Sequence, residues 1–475
     1  MGDVVNYVGV DDQVKESIPF FDEYLKVDRG TPPEYLFERS TEDLGNEKFS
    51  TDRYISREWH ELEKEHMWFK VWNMVCREND IPNPGDQLEH TIVDQPVAIV
   101  RTETGEIKAF ANACAHRGTP LVWGCKNAPE IKCPFHGWSY NLDGSLKNVP
   151  CKWDFPELTP ETHSLKPLRV ETWAGFVWVN LDHDAEPLEK YIPEKLRVQV
   201  ERFWPGRNRK VAHVRHIVDC NWKLAVEGFN EIYHVPIIHP ETIYSVGDYN
   251  AQYDYYGPHL RMCFTWATPS PLLGEDPDAG DIIEGMFVGE GAVGSAFADA
   301  LGREYKLPTA EPGDTLLDAR RKISDMMRDL YKQNAGLDLT DTSDTEVLDG
   351  YMYLMFPNFN IWGGYTYTVC YRWLPNGNDP ESCIYEAMLF QIIPEGEDIE
   401  PDVPIFDTPH GSMLVDQPGT AGSLGFLLDE DFIQLRRIQE GYHSREFTEV
   451  TFSNEQERNL RNFQQHIERY IGKRK

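Results

Sequence analysis

Two short motifs, each with one cysteine and one histidine, constrain the fold of this chain most strongly. Cys114 is followed two positions later by His116, and Cys133 is followed three positions later by His136. Glycine and proline lie within or beside both motifs, which favours two tight loops folded over a shared group. Cysteine and histidine are ligands of zinc and of iron–sulfur clusters. The motifs therefore predict a metal centre within residues 112–143.

Two kinds of centre use this ligand set. Structural zinc modules usually begin with two cysteines on one loop and end with two histidines. Here each loop supplies one cysteine and one histidine. That pairing suits a [2Fe–2S] cluster in which one iron binds both thiolates and the other binds both imidazoles. We therefore expect a [2Fe–2S] cluster, and a structural zinc ion is the alternative.

A second group of candidate ligands lies in residues 221–240, which read NWKLAVEGFNEIYHVPIIHP. Apolar residues at roughly helical spacing predict a helix from Trp222 to His234. Pro236 lacks a backbone N–H and must kink or end that helix. Side chains five positions apart on a regular helix point in different directions, so His234 and His239 need such a break to bind one ion. The segment predicts a mononuclear metal site.

The sequence around both groups resembles the α subunits of Rieske non-haem iron oxygenases, the aromatic-ring-hydroxylating family. The likeness is carried by CAHRG (114–118), CPFHGWSY (133–140) and NWKLAVEGFNEIYHVPIIH (221–239), and it covers roughly residues 50–470. It implies an α+β chain, in which an all-β Rieske domain precedes a catalytic domain with a curved antiparallel sheet and helices. The loops lack the extra cysteine pair of respiratory Rieske proteins, which favours the oxygenase type.

The expected organisation has three parts. Residues 1–66 are polar and acidic, and they predict a helical arm that packs onto the catalytic domain. Residues 67–182 contain short apolar runs separated by turn residues, which predicts the all-β Rieske domain. Residues 183–475 form the expected mononuclear-iron domain, with strands and helices. Within it, residues 315–333 predict an amphipathic helix.

The third iron ligand should be a carboxylate, because two histidines and one carboxylate are the arrangement for Fe(II) that binds O₂. Candidates are Asp429, Glu430 and Asp431, although such residues also cap helix amino termini. In the family, this ligand lies on a late helix that ends near a Gln-x-Gly-x-x-Ser phrase, which here begins at Gln439. The resemblance thus implies Asp431, with Asp429 as the second choice.

Glu231 stands where most of the family has aspartate, which bridges an iron histidine of one subunit to a cluster histidine of its neighbour. Glutamate keeps the charge and adds a methylene, so the resemblance implies the same bridge with shifted geometry. A salt bridge without a part in catalysis is the alternative role, and Glu227, one turn earlier, is a nearby competitor. His213 and His216 alternate along a predicted strand, and we interpret them as sheet residues.

The resemblance implies that electrons pass from NAD(P)H through a separate reductase, with or without a ferredoxin, to the cluster. They continue across a subunit boundary to Fe(II), where O₂ is activated. Hydroxylation of an aromatic substrate is the expected reaction, and monooxygenation or demethylation of a quaternary ammonium compound is the alternative. A homotrimer is expected, with an α3β3 assembly as the alternative. Two other classes of protein are alternatives. A Rieske electron carrier would hold the cluster but no mononuclear iron, and a zinc-binding structural protein would hold no iron.

Aromatic residues after the second histidine segment would suit a flat aromatic substrate or a quaternary ammonium held by cation–π contacts. Most of them are equally suited to the core. Those we consider for the pocket are Tyr253, Tyr255, Trp266, Tyr353, Phe356, Phe359 and Trp362.

The net charge and the number of cysteines argue against several classes of protein. The chain has 79 acidic and 46 basic residues, a formal net charge of −33, which opposes binding to nucleic acid or anionic membranes. Its nine cysteines are odd in number and scattered, so they do not form a disulfide framework. The amino terminus lacks a signal-peptide profile, and no apolar run approaches bilayer length. We therefore expect a cytoplasmic protein.

Overall fold

The computed structural model describes residues 21–204, 206–273, 276–288, 306–365, 368–420 and 422–474. The chain divides into two compact units. The small unit is His60–Glu194, and the large unit combines Lys195–Lys475 with the segment that ends at Trp59. The small unit thus extends beyond the expected range 67–182 at both ends. Residues 21–59 of the expected arm belong to the large unit, and residues 1–20 lie outside the described residues.

The small unit is built on a seven-stranded antiparallel sheet and a three-stranded sheet, as the all-β prediction requires. Buried residues between them, among them Val100, Phe110 and Trp138, form one core that also contains Cys114 and Cys133. The larger sheet has, in spatial order, Asn73–Arg77, Phe176–Asn180, Pro167–Trp173, Ile107–Ala111, Gln95–Arg101, Asp86–Ile92 and Cys125–Asn127. The smaller sheet has Ile131–Lys132, Ser139–Tyr140 and Leu146–Asn148.

The large unit contains an eight-stranded sheet in which all neighbours are antiparallel except the last pair. This sheet and its helices confirm the expected α+β class. The spatial order is Val246–Tyr256, His259–Trp266, Gly350–Met355, Phe359–Gly363, Val369–Asn376, Asp379–Ile392, Asn208–Val218 and Phe406–Asp407. Phe49–Ser50 and Glu449–Val450 form a separate two-stranded pair.

The longest described helix, Leu316–Ala335, confirms the prediction of a helix over residues 315–333. Thr315 accepts a hydrogen bond from the backbone N–H of Asp318, whose carboxylate accepts one from the N–H of Thr315, so that a capping box starts the helix. Gly336, with a φ of 65°, ends it in the left-handed region. The other α-helices of the described residues are Phe21–Lys26, Asp52–Ile55, Arg57–Glu63, Pro160–His163, Leu188–Tyr191, Glu194–Phe203, Trp222–Gly228, Val235–Ile238, Ala279–Phe287, Asp344–Leu348, Ser423–Gly441 and Arg458–Tyr470.

An aromatic layer connects the sheet of the large unit to the histidine segment. The Phe229 ring lies 5.2 Å from the ring of Trp373 and 5.5 Å from that of Tyr371, both on one sheet strand. Phe432, on the helix Ser423–Gly441, lies 6.1 Å from Phe229 and 4.9 Å from Tyr385 of the sheet. Rings at these distances make favourable contacts beyond their burial. The layer therefore holds the histidine segment between the sheet and that helix. Within the described residues, no helix is both long and apolar enough to cross a membrane.

Candidate metal centres

The four predicted cluster ligands lie in two loops of the small unit that are closed in the same way. The N–H of Gly118 donates to the carbonyl of Cys114 at 2.8 Å, and the N–H of Gly137 donates to that of Cys133 at 3.1 Å. Both glycines have positive φ, 76° and 72°, which a larger residue adopts only with strain. Each motif is therefore a tight turn that presents its cysteine and histidine on one side.

The two loops bring their side chains together. The imidazole rings of His116 and His136 are 4.7 Å apart between centroids, and that of His116 stacks on Trp138 at 4.9 Å. Cys114 and Cys133 are both buried. Although burial alone raises the pKa of Cys133, backbone N–H groups in its own loop donate to the sulfur and lower that pKa. A lowered pKa favours the thiolate, the form that binds metal.

One atom tests whether these residues fit a cluster. His116 Nδ1 is buried and has no hydrogen-bond partner among the described residues. A buried polar atom without a partner is costly, and a metal ion at this nitrogen would satisfy it. With two cysteines on the same side of the loops, this donor set fits the two-thiolate, two-imidazole cluster.

Tyr140 is a residue of this centre to which the sequence analysis assigned no role. Its hydroxyl oxygen accepts a hydrogen bond from the N–H of Ala115 at 3.1 Å and lies 3.3 Å from Cys114 Sγ. Since the oxygen already accepts from Ala115, its own hydrogen can point to the sulfur. The CPFHGWSY motif contains this tyrosine, but its sequence position does not reveal the contact with the other loop.

The helix predicted from Trp222 to His234 is wrong in its extent, because it ends at Gly228. The Asn230 side chain donates to the carbonyl of Val226 at 2.7 Å, so it satisfies a carbonyl that a longer helix would use. A Cβ at Gly228 would lie 3.0 Å from Leu435 Cδ2, so glycine allows the helix Ser423–Gly441 to approach closely. The break therefore precedes both histidines, and the prediction that Pro236 kinks or ends this helix between them is wrong.

A short second helix follows the break. Val235–Ile238 has His234 at its N-cap position and His239 at its C-cap position, and Pro236 lies in its first turn. Proline is tolerated there because the first N–H groups of a helix have no partner within it. The imidazole centroids of His234 and His239 are 5.7 Å apart. Both rings thus converge, as the prediction of a mononuclear site requires.

The helix Ser423–Gly441 brings Asp431 to the two histidines. Asp431 Oδ1 lies 3.0 Å from His239 Nε2 and 3.5 Å from His234 Nε2. One ligand atom from each of the three residues lies within 4.8 Å of the others. Although burial alone raises it, the two histidines lower the pKa of Asp431 to about 2. A buried anion facing two imidazoles is a donor set that suits Fe(II).

Asp429, the second choice for the carboxylate ligand, has other partners. Its two oxygens accept hydrogen bonds from the backbone N–H groups of Leu414 at 2.7 Å and Val415 at 2.9 Å. Glu227, the competitor of Glu231, is buried against the Tyr54 hydroxyl, which donates to its carboxylate at 2.8 Å. Neither residue lies in the group formed by the two histidines and Asp431.

Each of the two histidines also has a carboxylate at its other ring nitrogen. Glu231 Oε1 is 2.5 Å from His234 Nδ1, and its second oxygen accepts from the N–H groups of His234 and Tyr233. Glu430 Oε2 is 2.8 Å from His239 Nδ1. A carboxylate at Nδ1 favours the tautomer with the proton there. Both Nε2 atoms are then available to a metal ion.

The additional histidines of the strand Asn208–Val218 are sheet residues, as interpreted from the sequence. His213 contacts Lys210 Nζ at 3.0 Å, and its Nε2 lies 3.4 Å from Glu386. His216 Nδ1 lies 2.7 Å from the Thr408 hydroxyl. Within the described chain, neither joins a group of possible metal ligands.

A cavity of about 120 Å³ adjoins the three candidate iron ligands. Of the seven aromatic residues considered for the pocket, only Trp266 and Trp362 line it. Its described lining contains no lysine or arginine. The remaining lining residues are mostly apolar, with two acids and two histidines among the polar ones: Gly228, Phe229, Glu231, Ile232, His234, Val235, His239, Thr242, Val246, Met262, Phe264, Met352, Tyr371, Leu424, Leu427, Leu428 and Asp431.

The known proteins that resemble this chain point to one family. Similar proteins include the large subunit of anthranilate 1,2-dioxygenase from Burkholderia cepacia, 31% identical over 195 residues, which are 39% of this chain and 46% of that protein. The oxygenase subunit of carnitine monooxygenase from Acinetobacter pittii is 32% identical over 190 residues, 39% of this chain and 51% of that protein. The aligned segments thus span about half the length of these relatives.

Two solved structures share the fold. The quaternary ammonium Rieske monooxygenase CntA in complex with L-carnitine has a TM-score of 0.61 at 18% identity, over 91% of this chain and 99% of that one. Naphthalene 1,2-dioxygenase with indole bound has a TM-score of 0.63 at 17% identity, over 93% and 96%. The family model of the Rieske [2Fe–2S] domain matches residues 71–159, and that of the ring-hydroxylating α subunit catalytic domain matches residues 201–473. The chain therefore belongs to the α subunits of the ring-hydroxylating Rieske oxygenases, a family that carries a [2Fe–2S] cluster and a mononuclear iron.

Proposed function

We propose that this chain is a terminal oxygenase component that hydroxylates a small aromatic molecule with O₂. Its electrons come from NAD(P)H through a separate reductase, with or without a ferredoxin, and we place the chain in the cytoplasm. When bound, the cluster supplies single electrons and the mononuclear Fe(II) supplies open positions for O₂. The observation that carries the proposal is the convergence of His234, His239 and Asp431 beside an apolar cavity.

The residues of each centre have distinct tasks in this proposal. Cys114, His116, Cys133 and His136 hold the cluster, and their tight turns keep it at the end of the small unit's loops. His234, His239 and Asp431 hold the iron, and Glu231 keeps the proton of His234 on Nδ1. Fixing the tautomer and orientation of a ligand imidazole is the usual task of such a partner.

Glu231 has a second task in this proposal, the transfer of electrons between subunits. We place it between His234 of one subunit and a cluster histidine, His136, of a neighbour in a homotrimer, by likeness to the family's aspartate. An α3β3 assembly would preserve the same contact. Support comes from the position of the Glu231 carboxylate on His234 and from its side chain, which is 10% exposed.

The cavity favours an uncharged aromatic substrate. Phe264, Trp266, Trp362 and Tyr371 provide flat apolar faces beside the iron ligands. A substrate carboxylate would meet Asp431 and Glu231, and it would find no lysine or arginine in the described lining. Burying a charge without a partner is costly. We therefore place neutral arenes ahead of aromatic acids. The apolar lining also excludes water around the reacting ring.

A quaternary ammonium compound is the second candidate substrate. The same aromatic faces can hold a cation, and Glu231 and Asp431 add negative charge. Likeness to the carnitine monooxygenases favours this alternative. Carnitine itself carries a carboxylate, which the described lining does not match. The second candidate is therefore a quaternary ammonium substrate without an acid group, and its product would be an alcohol or a dealkylated amine.

Oxygen uptake separates these candidates. The purified protein is supplied with NADH and a ferredoxin–reductase pair, and it is offered naphthalene, benzoate, choline or carnitine. We expect uptake and a hydroxylated product with naphthalene and no product with benzoate. Formaldehyde or an aldehyde from choline, without any product from naphthalene, would replace the first candidate by the second. Absence of turnover with the whole panel in protein that contains both metal centres would contradict both.

The Trp362→Leu variant sharpens the assay, because leucine keeps an apolar surface but has no π face. A desolvated cation–π contact is worth about 2 kcal/mol, so an ammonium substrate should bind about 30-fold more weakly to this variant. An arene loses only an aromatic pair of about 0.5–1.5 kcal/mol, which corresponds to about 2- to 10-fold. Trp153→Leu is the matched control, because Trp153 is exposed on the small unit and does not line the cavity.

A further inference from the structure

Glu430 has no part in the iron ligation proposed above, yet it contacts one of the ligands closely. Glu430 Oε2 lies 2.8 Å from His239 Nδ1, while Asp431 Oδ1 lies 3.0 Å from His239 Nε2. Consecutive helical residues point about 100° apart, so neighbouring carboxylates of one helix reach opposite edges of the same imidazole. His239 is thereby held at both ring nitrogens by the helix Ser423–Gly441.

The backbone around His239 explains why its ring needs this contact. His239 is the C-cap of a helix of only four residues, and its φ of −119° and ψ of 63° are not helical. Regular secondary structure therefore does not fix the direction of the side chain. His234 differs, because Glu231 from its own turn bonds both its ring and its backbone N–H. For His239 the corresponding carboxylate comes from a segment 191 positions away in the sequence.

We propose that Glu430 is a positioning residue that keeps the proton of His239 on Nδ1 and directs Nε2 to the iron. The role rests on the iron site proposed above. Glu430 and Asp431 are adjacent, so one helix supplies both an iron ligand and the group that orients another ligand. A shift of this helix moves Asp431 and His239 together, which preserves the distance between them.

Glu241 is a second possible hydrogen-bond acceptor for His239 Nδ1. Its Oε1 is buried without a hydrogen-bond partner among the described residues, and it lies 4.0 Å from His239 Nδ1, too far for a hydrogen bond. When Glu430 is removed, Glu241 can move toward His239 and replace part of the contact. We therefore expect non-additive effects on iron affinity. Replacing both Glu430 and Glu241 should lower the affinity by more than the two single replacements combined.

The test measures iron binding in protein that retains its cluster. Chelation removes the mononuclear iron, and Fe(II) is then titrated back without oxygen. Losing a group that orients a ligand histidine lowers metal affinity about 10- to 100-fold, which is the effect expected of Glu430→Leu. Glu430→Gln keeps an acceptor oxygen and should stay within about threefold of the unchanged protein. Glu440→Leu is the matched control, because Glu440 lies exposed on the same helix.

A spectroscopic signature separates positioning from general destabilisation. Nitric oxide added to the Fe(II)-loaded protein gives an electron paramagnetic resonance signal that depends on the direction of the ligands. Glu430→Leu should change the shape of this signal, and Glu440→Leu should not. The visible spectrum of the cluster should be the same in all variants, and equal circular dichroism spectra and urea midpoints should show that the large unit is folded. If Glu430→Leu does not fold, Glu430→Ala replaces it in the same comparison.

Two results would overturn the inference. Unchanged iron affinity and an unchanged nitric oxide signal in Glu430→Leu would show that Glu430 does not orient His239. Failure of the unchanged protein to bind Fe(II), while its cluster is intact, would remove the iron site itself and with it this role. The first result leaves the proposed function standing and the second does not, so the two failures are distinguishable.

Discussion

Asp429 and Asp431 lie on the same helix, and their replacement by alanine should fail in opposite ways. The Asp431 carboxylate faces His234 and His239, whereas the Asp429 carboxylate accepts two backbone hydrogen bonds from Leu414 and Val415. Asp431→Ala should therefore lose the mononuclear iron, with a smaller loss of stability in the metal-free protein than Asp429→Ala causes. Asp429→Ala should retain the iron and lose stability.

The magnitude for Asp429 follows from its two bonds. Asp429 is only 6% exposed, so water does not readily replace it at the two N–H groups. A hydrogen bond to a charged group contributes about 1.5–3 kcal/mol, so the loss of two lowers the free energy of unfolding by about 3–6 kcal/mol. Asp431→Ala removes a buried anion. The two histidines then lose a carboxylate that favours their protonated form. The effect of Asp431→Ala on the metal-free protein at pH 7 should be about 2 kcal/mol, which is the stabilisation that corresponds to a pKa lowered from 3.8 to about 2.

Three measurements on both variants test this contrast. Elemental analysis gives the iron content, visible absorption shows the cluster, and urea unfolding of the chelated proteins gives stability. Iron retained in Asp431→Ala, with iron lost from a stable Asp429→Ala, would refute the assignment. Asp429 would then be the third ligand, and the side-chain directions described above would be incorrect.

Two further predictions concern buried hydroxyl and carboxyl groups. Tyr140→Phe removes a hydrogen bond to Cys114 of about 1 kcal/mol, so the reduction potential of the cluster should fall by roughly 40 mV in spectroelectrochemical titration. Burial raises the pKa of Glu227 to about 7, so its folded state favours the proton, and stability present below about pH 4.5 is lost as pH rises through 7. Glu227→Gln should lack this loss of about 3 kcal/mol, and urea unfolding at pH 5 and pH 8 measures the difference.

Local sequence patterns predict much of the fold. Short apolar runs between turn residues correctly predict the all-β small unit, and the amphipathic period with Thr315 at its start predicts the helix Leu316–Ala335. The helix beginning at Trp222 is predicted too long, because residues 229–234 retain the apolar spacing of a helix. Its end depends on the Asn230 side chain, which bonds a backbone carbonyl in preference to solvent. Apolar periodicity does not record that competition.

Some residues of the candidate site can be predicted from the local sequence, and others depend on contacts between distant segments. The proposed cluster ligands can be chosen from the sequence alone, because one cysteine and one histidine at short spacing in each of two loops suit a [2Fe–2S] cluster. Asp431 follows only from the family's spacing to a late motif, since three consecutive acidic residues are equivalent by composition. In the structure the three side chains have different partners. Asp429 accepts a hydrogen bond from the backbone, Glu430 contacts His239 Nδ1, and Asp431 faces the Nε2 atoms of the two histidines.

The pocket aromatics show why a buried sheet limits prediction. Every residue of the strands His259–Trp266 and Gly350–Met355 is buried, so both faces look alike in sequence. Alternate residues face the cavity: Phe264 and Trp266 line it together, and Met352 lines it while its neighbour Tyr353 does not. The aromatic residues considered from the sequence therefore include Tyr353 and omit Phe264, because the tertiary structure decides which side of each strand faces the cavity.

Iron and acid-labile sulfide per polypeptide, measured together on the unchanged protein and on Asp431→Ala, test the central claim most directly. The account predicts about three irons and two sulfides in the unchanged protein, and about two irons and two sulfides in the variant. Zinc in place of iron, or about two irons in both proteins, would contradict it.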